Sequence, residues 1–354
     1  MRRKKSSPLA AIIVIMLAGG IVVAAYLYIN RGGKPQEAKG NDDNTARKDE
    51  DKTPEDSAEK PEKKVGLIDP KTDHQALLPT KAEPSDDIER DYRDGLALVK
   101  LSKPTAEQTI EARTLLSRAY FSGKLSKAQA DATRKHLTEL SEATILSPVV
   151  VEGDPYTEYY VFAKGDTLGK VEKDHALKIP HQLLLRVNPH IKQSNLIQIG
   201  GRVKLVKGPF HAVIYKDKFV MDIYIKRYET PITFVKRIRV GLGKDDSTPS
   251  GAFQVSLGKK RAHAPWNAPP ASKVRGTILW GQPGYPLGPN GRWISLQGVD
   301  EETKFALGYG IHGTNDPDSI GKAESLGCIR LGDNDIDLVY SLLYEKWSAV
   351  FIEK

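Results

Sequence analysis

A single cysteine, Cys328, stands among 354 residues. No intrachain disulfide can form, so a small fold stapled by such bridges is excluded. Histidine, cysteine and carboxylate residues do not gather at the short spacings of a zinc site; His211 and His263 stand apart from the lone cysteine. No metal or other cofactor is expected, and no glycine-rich stretch has the pattern of a phosphate-cradling loop. From Arg31 to Lys64 there is no Ile, Leu, Val, Met or aromatic residue, while charges of both signs alternate with Pro, Gly, Asn and Thr. Such a stretch cannot offset the entropy of ordering itself. Residues 30–86 are therefore read as a disordered charged linker.

Charge is missing in a different way from Leu9 to Ile29, an apolar run that follows the basic "MRRKK" opening. At about 1.5 Å per residue this run matches a bilayer hydrocarbon core. Its length and the tyrosines Tyr26 and Tyr28 favour an uncleaved membrane anchor over a cleaved signal peptide. Residues 1–8 then form a basic cytoplasmic tail, residues 9–29 a single transmembrane helix, and everything after Arg31 faces outward, in a periplasm or cell wall. Lys and Arg exceed Asp and Glu by 53 − 45 = 8, an excess suited to anionic polymers or lipid head groups. Nucleic acid is excluded as a partner by the outward placement.

The remaining chain is long enough for several modules. In residues 87–147, Ala112, Leu115, Leu116 and Ala119 share one helical face and Leu125, Ala128, Ala132 and Leu137 another, with "SGK" between them. This predicts a small helical unit, read as a spacer. In residues 156–207 the order is strand, helix, helix, strand: Tyr160 and Phe162 alternate, Thr167 caps a helix with Leu168 and Val171, Pro180 opens a second, and Val203 and Leu205 close the unit. With "YVFAKGDTL", "NPHI" and "LIQIGGRVKL" in place, this stretch resembles the LysM domain, a β-α-α-β module that binds N-acetylglucosamine-containing glycans. The resemblance implies a glycan groove between Asp166, Thr167 and Leu168 on one loop and Asn195 and Ile197 on another. On the residues alone, Asp166 and Thr167 also suit a turn and a helix cap.

From 208 to 354, period-two runs such as "HAVIYKDKFVMDIYIKRY" and "TFVKRIRVGLG" predict a mostly antiparallel β domain. "DNDIDLVYSLLYEK" reads as a helix capped by Asp333 or Asn334, and "SAVFI" as a last strand. "APWNAPP", Ala264 to Pro270, reads as a Pro-rich surface loop, with lining of a substrate cleft as the alternative. The fold class is thus multidomain α+β.

Within this domain Cys328 lies sixteen positions after His312 and two before Arg330. A cysteine attacks as thiolate, and a nearby imidazole is the usual means of generating it. An extended "CIR" would put Cys328 and Arg330 on one side, and Gly327 would let backbone approach a developing oxyanion. A small buried hydrophobe is the competing reading of Cys328.

"IHGT" followed by "SLGCIRL" closely resembles the signature of YkuD-type L,D-transpeptidases, and "STPSGAF", "YPLGPNGRWISL" and "DIDLVYSLL" agree with it. The resemblance implies a β-sandwich catalytic domain with Cys328 as nucleophile, His312 as its base and the Gly313 carbonyl as the imidazole's orienter. It also implies an oxyanion hole from amides near Gly327 and Cys328, with Arg330 and Ser325 contacting substrate. Tyr309 and Thr314 are read as packing or positioning residues. The substrate implied is the peptidoglycan stem peptide, cross-linked through a thioester acyl-enzyme. An L,D-carboxypeptidase using water, and an inert wall-binding anchor protein, are the alternatives.

Overall fold

The computed structural model describes residues 67–79, 87–191, 198–227 and 230–354. The expected membrane helix at 9–29, the tail before it and most of the linker lie outside these residues. Among the described residues no helix is long and apolar enough to cross a membrane. The described residues form one compact unit.

Residues 67–79, read from sequence as part of a disordered stretch, form helix α1 (Pro70–Asp73) and a 3-10 turn (His74–Leu77). Asp69 caps α1 by accepting from the Lys71 amide at 2.9 Å. Ile68 and Leu77 are buried. They supply the apolar surface that residues 31–64 lack.

Three helices follow, α2 (Ile88–Val99), α3 (Ala106–Phe121) and α4 (Lys127–Thr144). Thr105 with Gln108 and Ser126 with Gln129 form reciprocal capping boxes that fix where α3 and α4 begin. Gly95 of α2 lies so close to α3 that a Cβ there would meet Leu116 Cγ at 2.7 Å. A β-α-α-β unit comes next: β1 (Thr157–Val161), α5 (Leu168–Asp174), α6 (His181–Val187) and β2 (Arg202–Val206), with β1 and β2 antiparallel.

The C-terminal part contributes β3 (Phe210–Tyr215), β4 (Val220–Ile225), β5 (Thr233–Arg239), β6 (Leu242–Gly243), β7 (Gly251–Arg261), β8 (Trp266–Asn267) and β9 (Thr277–Ile278). It continues with β10 (Trp293–Gly298), β11 (Gly310–Gly313), β12 (Ala323–Ser325), β13 (Ile329–Leu331), helix α7 (Asp333–Leu342) and β14 (Ala349–Glu353). Eight of these make one sheet in the order β13-β11-β10-β7-β14-β3-β4-β5. β11–β13 and β14–β3 pair in parallel, and the other neighbours are antiparallel. The mostly antiparallel domain expected from sequence thus has two parallel pairs in this sheet, one of them at the motif, and a third in the separate β6–β12 pair. Helix α7 starts one position earlier than expected: Gly332 is its N-cap, and no side chain caps it.

The helical unit is not a spacer. Tyr120 and Phe121 of α3 pack with Tyr224, Phe234 and Phe351 of the sheet and with Leu77 in one buried cluster. β5 is an edge strand, whose backbone groups need partners when buried. Two helix serines supply them: Ser117 Oγ accepts from the Phe234 amide at 3.1 Å, and Ser141 Oγ donates to the Phe234 carbonyl at 2.5 Å. Tyr120 Oη and Arg237 both donate to the buried Asp222 carboxylate.

The β-α-α-β unit is joined as firmly. Its core residues, including Leu177, Ile179, Leu184 and Leu205, belong to one buried cluster with Phe210, Ile294 and Val339. Lys204 of β2 is buried, and its Nζ donates to the carbonyls of Thr144, Ile145, Ser147 and Val149 at 2.5 to 3.1 Å. These are orphan carbonyls at and beyond the C-terminal end of α4, the end that attracts a cation. Beside them Arg113 of α3 donates two bonds to Asp154 at 2.8 Å and one to Thr144 Oγ1. Removing one partner of a buried pair strands the other, at a cost of about 3–5 kcal/mol. Arg113→Ala is expected to lower unfolding stability by that amount, measured by denaturant titration. Lys236→Ala, whose partner Glu142 is exposed, should cost about 1 kcal/mol or less.

Candidate active site

The site is built where β11 and β13 run side by side. His312 of β11 is in register with Arg330 of β13, and Cys328 immediately precedes β13. The stretch from Thr314 to Cys328 that joins the two strands carries a 3-10 turn (Pro317–Ser319) and β12, which pairs with β6. Cys328, His312, Ser325 and Arg330 all line one cleft of about 750 Å³.

The turn before Cys328 is held from three sides. Ser325 Oγ donates to the Cys328 carbonyl at 2.7 Å and accepts from the Gly327 amide at 3.0 Å. Thr248 Oγ1 donates to the Gly327 carbonyl at 2.9 Å and accepts from the Gly243 amide at 2.8 Å. Gly327 has φ +121°, and a Cβ there would meet Tyr309 Cε1 at 2.6 Å. Only glycine fits both the backbone angle and the space.

These contacts redistribute the expected roles. The Gly327 amide is spent on Ser325, so it is not a free oxyanion donor. Ser325 is buried, with its hydroxyl committed to the turn. It positions the Cys328 backbone rather than presenting its hydroxyl to substrate. Tyr309 packs against Gly327, and Thr314 Oγ1 accepts from the Asp316 amide at 3.1 Å, a positioning contact.

His312 Nδ1 lies 2.6 Å from the Gly313 carbonyl oxygen. A carbonyl only accepts, so Nδ1 carries the proton and Nε2 is left with the lone pair. Gly313 is itself crowded: a Cβ would lie 2.7 Å from the Leu287 carbonyl. The imidazole stacks on Trp293 of β10, ring centres 5.5 Å apart and planes at 14°. Trp293 and Thr248 do not stand out in the sequence as site residues. Their blocks, "GRWISL" and "STPSGAF", carry part of the family resemblance, but the contacts depend on cross-strand register.

Burial governs the protonation states. It pulls the His312 imidazole down to about 4, with the Gly313 carbonyl opposing and the Arg330 charge adding to the effect. It pushes the Cys328 thiol up, against a backbone hydrogen bond from Gly310 and the Arg330 cation. At neutral pH both groups are uncharged, and the thiol leans on the Gly308 carbonyl at 3.9 Å.

Ala264 to Pro270, for which the sequence favours a surface loop over a cleft wall, line the cleft throughout. Trp266 lies in this stretch, on β8, which pairs with β9. In the β-α-α-β unit, Asp166 accepts from Tyr160 Oη at 2.6 Å and the Ala163 amide at 2.8 Å, and Thr167 Oγ1 accepts from the Lys170 amide at 3.2 Å. Leu168 is buried. Turn and cap occupy these residues, while Asn195 and Ile197 lie outside the described residues.

Residues 210–352 match the L,D-transpeptidase catalytic domain, YkuD. The YkuD match spans β3 to β14, with α7 and the whole cleft inside it; it does not extend to helices α1–α4 or the β-α-α-β unit. YqjB and YkuD of Bacillus subtilis (strain 168), both named as candidate L,D-transpeptidases, are similar to this chain. YqjB is 39% identical over 98 residues, which is 27% of this chain and 48% of YqjB. YkuD is 28% identical over 182 residues, 50% of this chain and 88% of YkuD. The chain thus spans about half the length of YqjB. An L,D-transpeptidase structure from Mycobacterium smegmatis superposes with a TM-score of 0.31 at 14% identity, covering 44% of this chain and 65% of that one.

The uncharged resting pair has a measurable consequence. Thiol alkylation by iodoacetamide should rise with pH through and beyond the ordinary thiol range near 8.5, because the thiolate is the reacting form. Arg330→Ala, by removing the cation that favours the thiolate, should slow labelling several-fold at a given pH. A flat rate between pH 5 and 8 would instead mark a preformed thiolate–imidazolium pair.

Proposed function

We propose that the YkuD domain is a cysteine-dependent L,D-transpeptidase acting on peptidoglycan stem peptides. The observation that carries this reading is the placement of Cys328 and His312 on one cleft wall, with the imidazole tautomer set by the Gly313 carbonyl.

In the first half-reaction the sulfur adds to the carbonyl between the L-centre of the diamino acid and the terminal D-Ala. The thiol proton goes to His312 Nε2, so both groups become charged only as the new C–S bond forms. The developing oxyanion meets the Cys328 amide, since the Gly327 amide is committed to Ser325. The C–N bond breaks, His312 returns the proton to the amine, and D-Ala leaves. In the second half-reaction an amine of a neighbouring stem adds to the thioester carbon. Its proton passes to His312, the C–S bond breaks, and the thiolate is reprotonated. Trp293 keeps the imidazole stacked in place through both halves.

The apolar run 9–29 and the basic residues before it support an anchored protein whose catalytic domain faces the cell wall. The β-α-α-β topology supports contact with glycan strands. In that reading Asp166 and Thr167 shape the loop rather than bind sugar directly.

The test is a mass measurement. Incubation with a tetrapeptide stem should leave an acyl adduct on Cys328 and release D-Ala. Cys328→Ala should abolish both, and His312→Ala should slow acylation by about 10²–10⁴-fold. Absence of adduct and of D-Ala release from the wild type overturns the enzyme reading and leaves the inert anchor protein.

A further inference from the structure

Four residues on neighbouring strands stand in one row. Arg261 of β7 is opposite Trp293 of β10, Trp293 is opposite His312 of β11, and His312 is beside Arg330 of β13. Residues in register share a face of the sheet. The two arginines therefore bracket the Trp293–His312 stack, three strand spacings or about 14 Å apart. Lys259, on the same side of an extended strand as Arg261, also lines the cleft.

The two ends of the row are charged differently. Arg330 faces the Asp316 carboxylate at 3.9 Å. Asp316 is the one carboxylate on the cleft wall among the described residues. Lys259 and Arg261 are exposed, and among the described residues their side chains have neither an ion pair nor a hydrogen bond. One end of the cleft is close to neutral; the other carries two free cations.

Which substrate meets the cations follows from the position of the base. An amine that attacks the thioester at Cys328 must hand its proton to His312. His312 stands on the Arg261 side of the strand that Cys328 leads into, so the amine arrives over Trp293, from the Lys259 and Arg261 end.

We propose that Lys259 and Arg261 form a receptor for a carboxylate of the amine acceptor, so that the preferred acceptor is an anionic peptide rather than a neutral amine or water. This rests on the transpeptidase reading above. The chemistry is the second half-reaction already balanced there; the receptor adds binding and orientation. A guanidinium and an ammonium at one rim suit a carboxylate, the first as a fork and the second as a point charge.

The test uses the full chain with a tetrapeptide donor and two acceptors, a stem peptide with free carboxylates and the same peptide as its carboxamide. Acylation is followed by D-Ala release, and coupling by the amount of joined peptide. The wild type should couple the carboxylate form about tenfold more efficiently than the amide, which corresponds to about 1.4 kcal/mol. In a Lys259→Met, Arg261→Gln double variant that ratio should fall toward one, and in Arg261→Glu it should invert. Raised salt should shrink the wild-type ratio. Equal use of both acceptors by an acylating wild type, or an unchanged ratio in the variants, overturns the proposal. So does a loss of acylation as large as the loss of coupling, which would assign the cations to the donor. No acylation of the wild type sinks the transpeptidase reading itself, and the acceptor receptor with it.

Discussion

Parallel pairing of β11 with β13 is the constraint from which the site follows. Two parallel neighbours cannot be joined by a tight hairpin, so the chain must leave the sheet after Gly313 and return before Ile329. The excursion anchors itself on β6 through β12 and re-enters through a turn that Ser325 and Thr248 hold by hydrogen bonds. Because the pairing is in register, His312 and Arg330 become neighbours, and Cys328 sits at the mouth of the returning strand. An antiparallel arrangement with a short turn would have no room for the excursion that presents the sulfur.

The same burial that orders this region sets its electrostatics. Charged groups are expensive away from water, and neither His312 nor Cys328 has a full counter-charge of its own. Both rest uncharged, which keeps the lone thiol from behaving as an indiscriminate nucleophile. The Gly313 carbonyl and Arg330 contribute differently. The carbonyl favours a protonated ring, whereas the cation favours a thiolate and disfavours an imidazolium. In the proposed reaction, a bound peptide that excludes water and offers a developing negative oxygen would change that balance locally.

Much of this was legible in the sequence because the chemistry is local there. Gly327, Cys328 and Arg330 are near neighbours in the chain, and the Gly313 carbonyl follows His312 directly. Thr105 with Gln108 and Ser126 with Gln129 carry local capping signals that the apolar pattern alone does not use, whereas α7 starts at Asp333 with no side-chain cap to mark it. What escaped depends on distance. Arg113 and Ser117 break the apolar face of α3 and look solvent-exposed. They are buried because Asp154 and the Phe234 amide, from other parts of the chain, meet them. The stretch 264–270 has a loop's composition whether it lies on open surface or on a cleft wall. Register between β7, β10 and β11 set the Arg261, Trp293 and His312 row, and no run of residues spells out register across a sheet with a bulge between Ile294 and Leu296.

Only the segment from Lys207 to Pro209 separates β2 of the β-α-α-β unit from β3 of the large sheet. Gly208 there is wedged so tightly that an added Cβ would lie 2.7 Å from the Lys178 carbonyl. Lys204 closes the other side on the end of α4. A unit attached in this way cannot swing like a bead on a string. Any surface that this unit presents is held at a set offset from the sulfur, and the span between the two becomes a property of the fold, as on a fixed gauge.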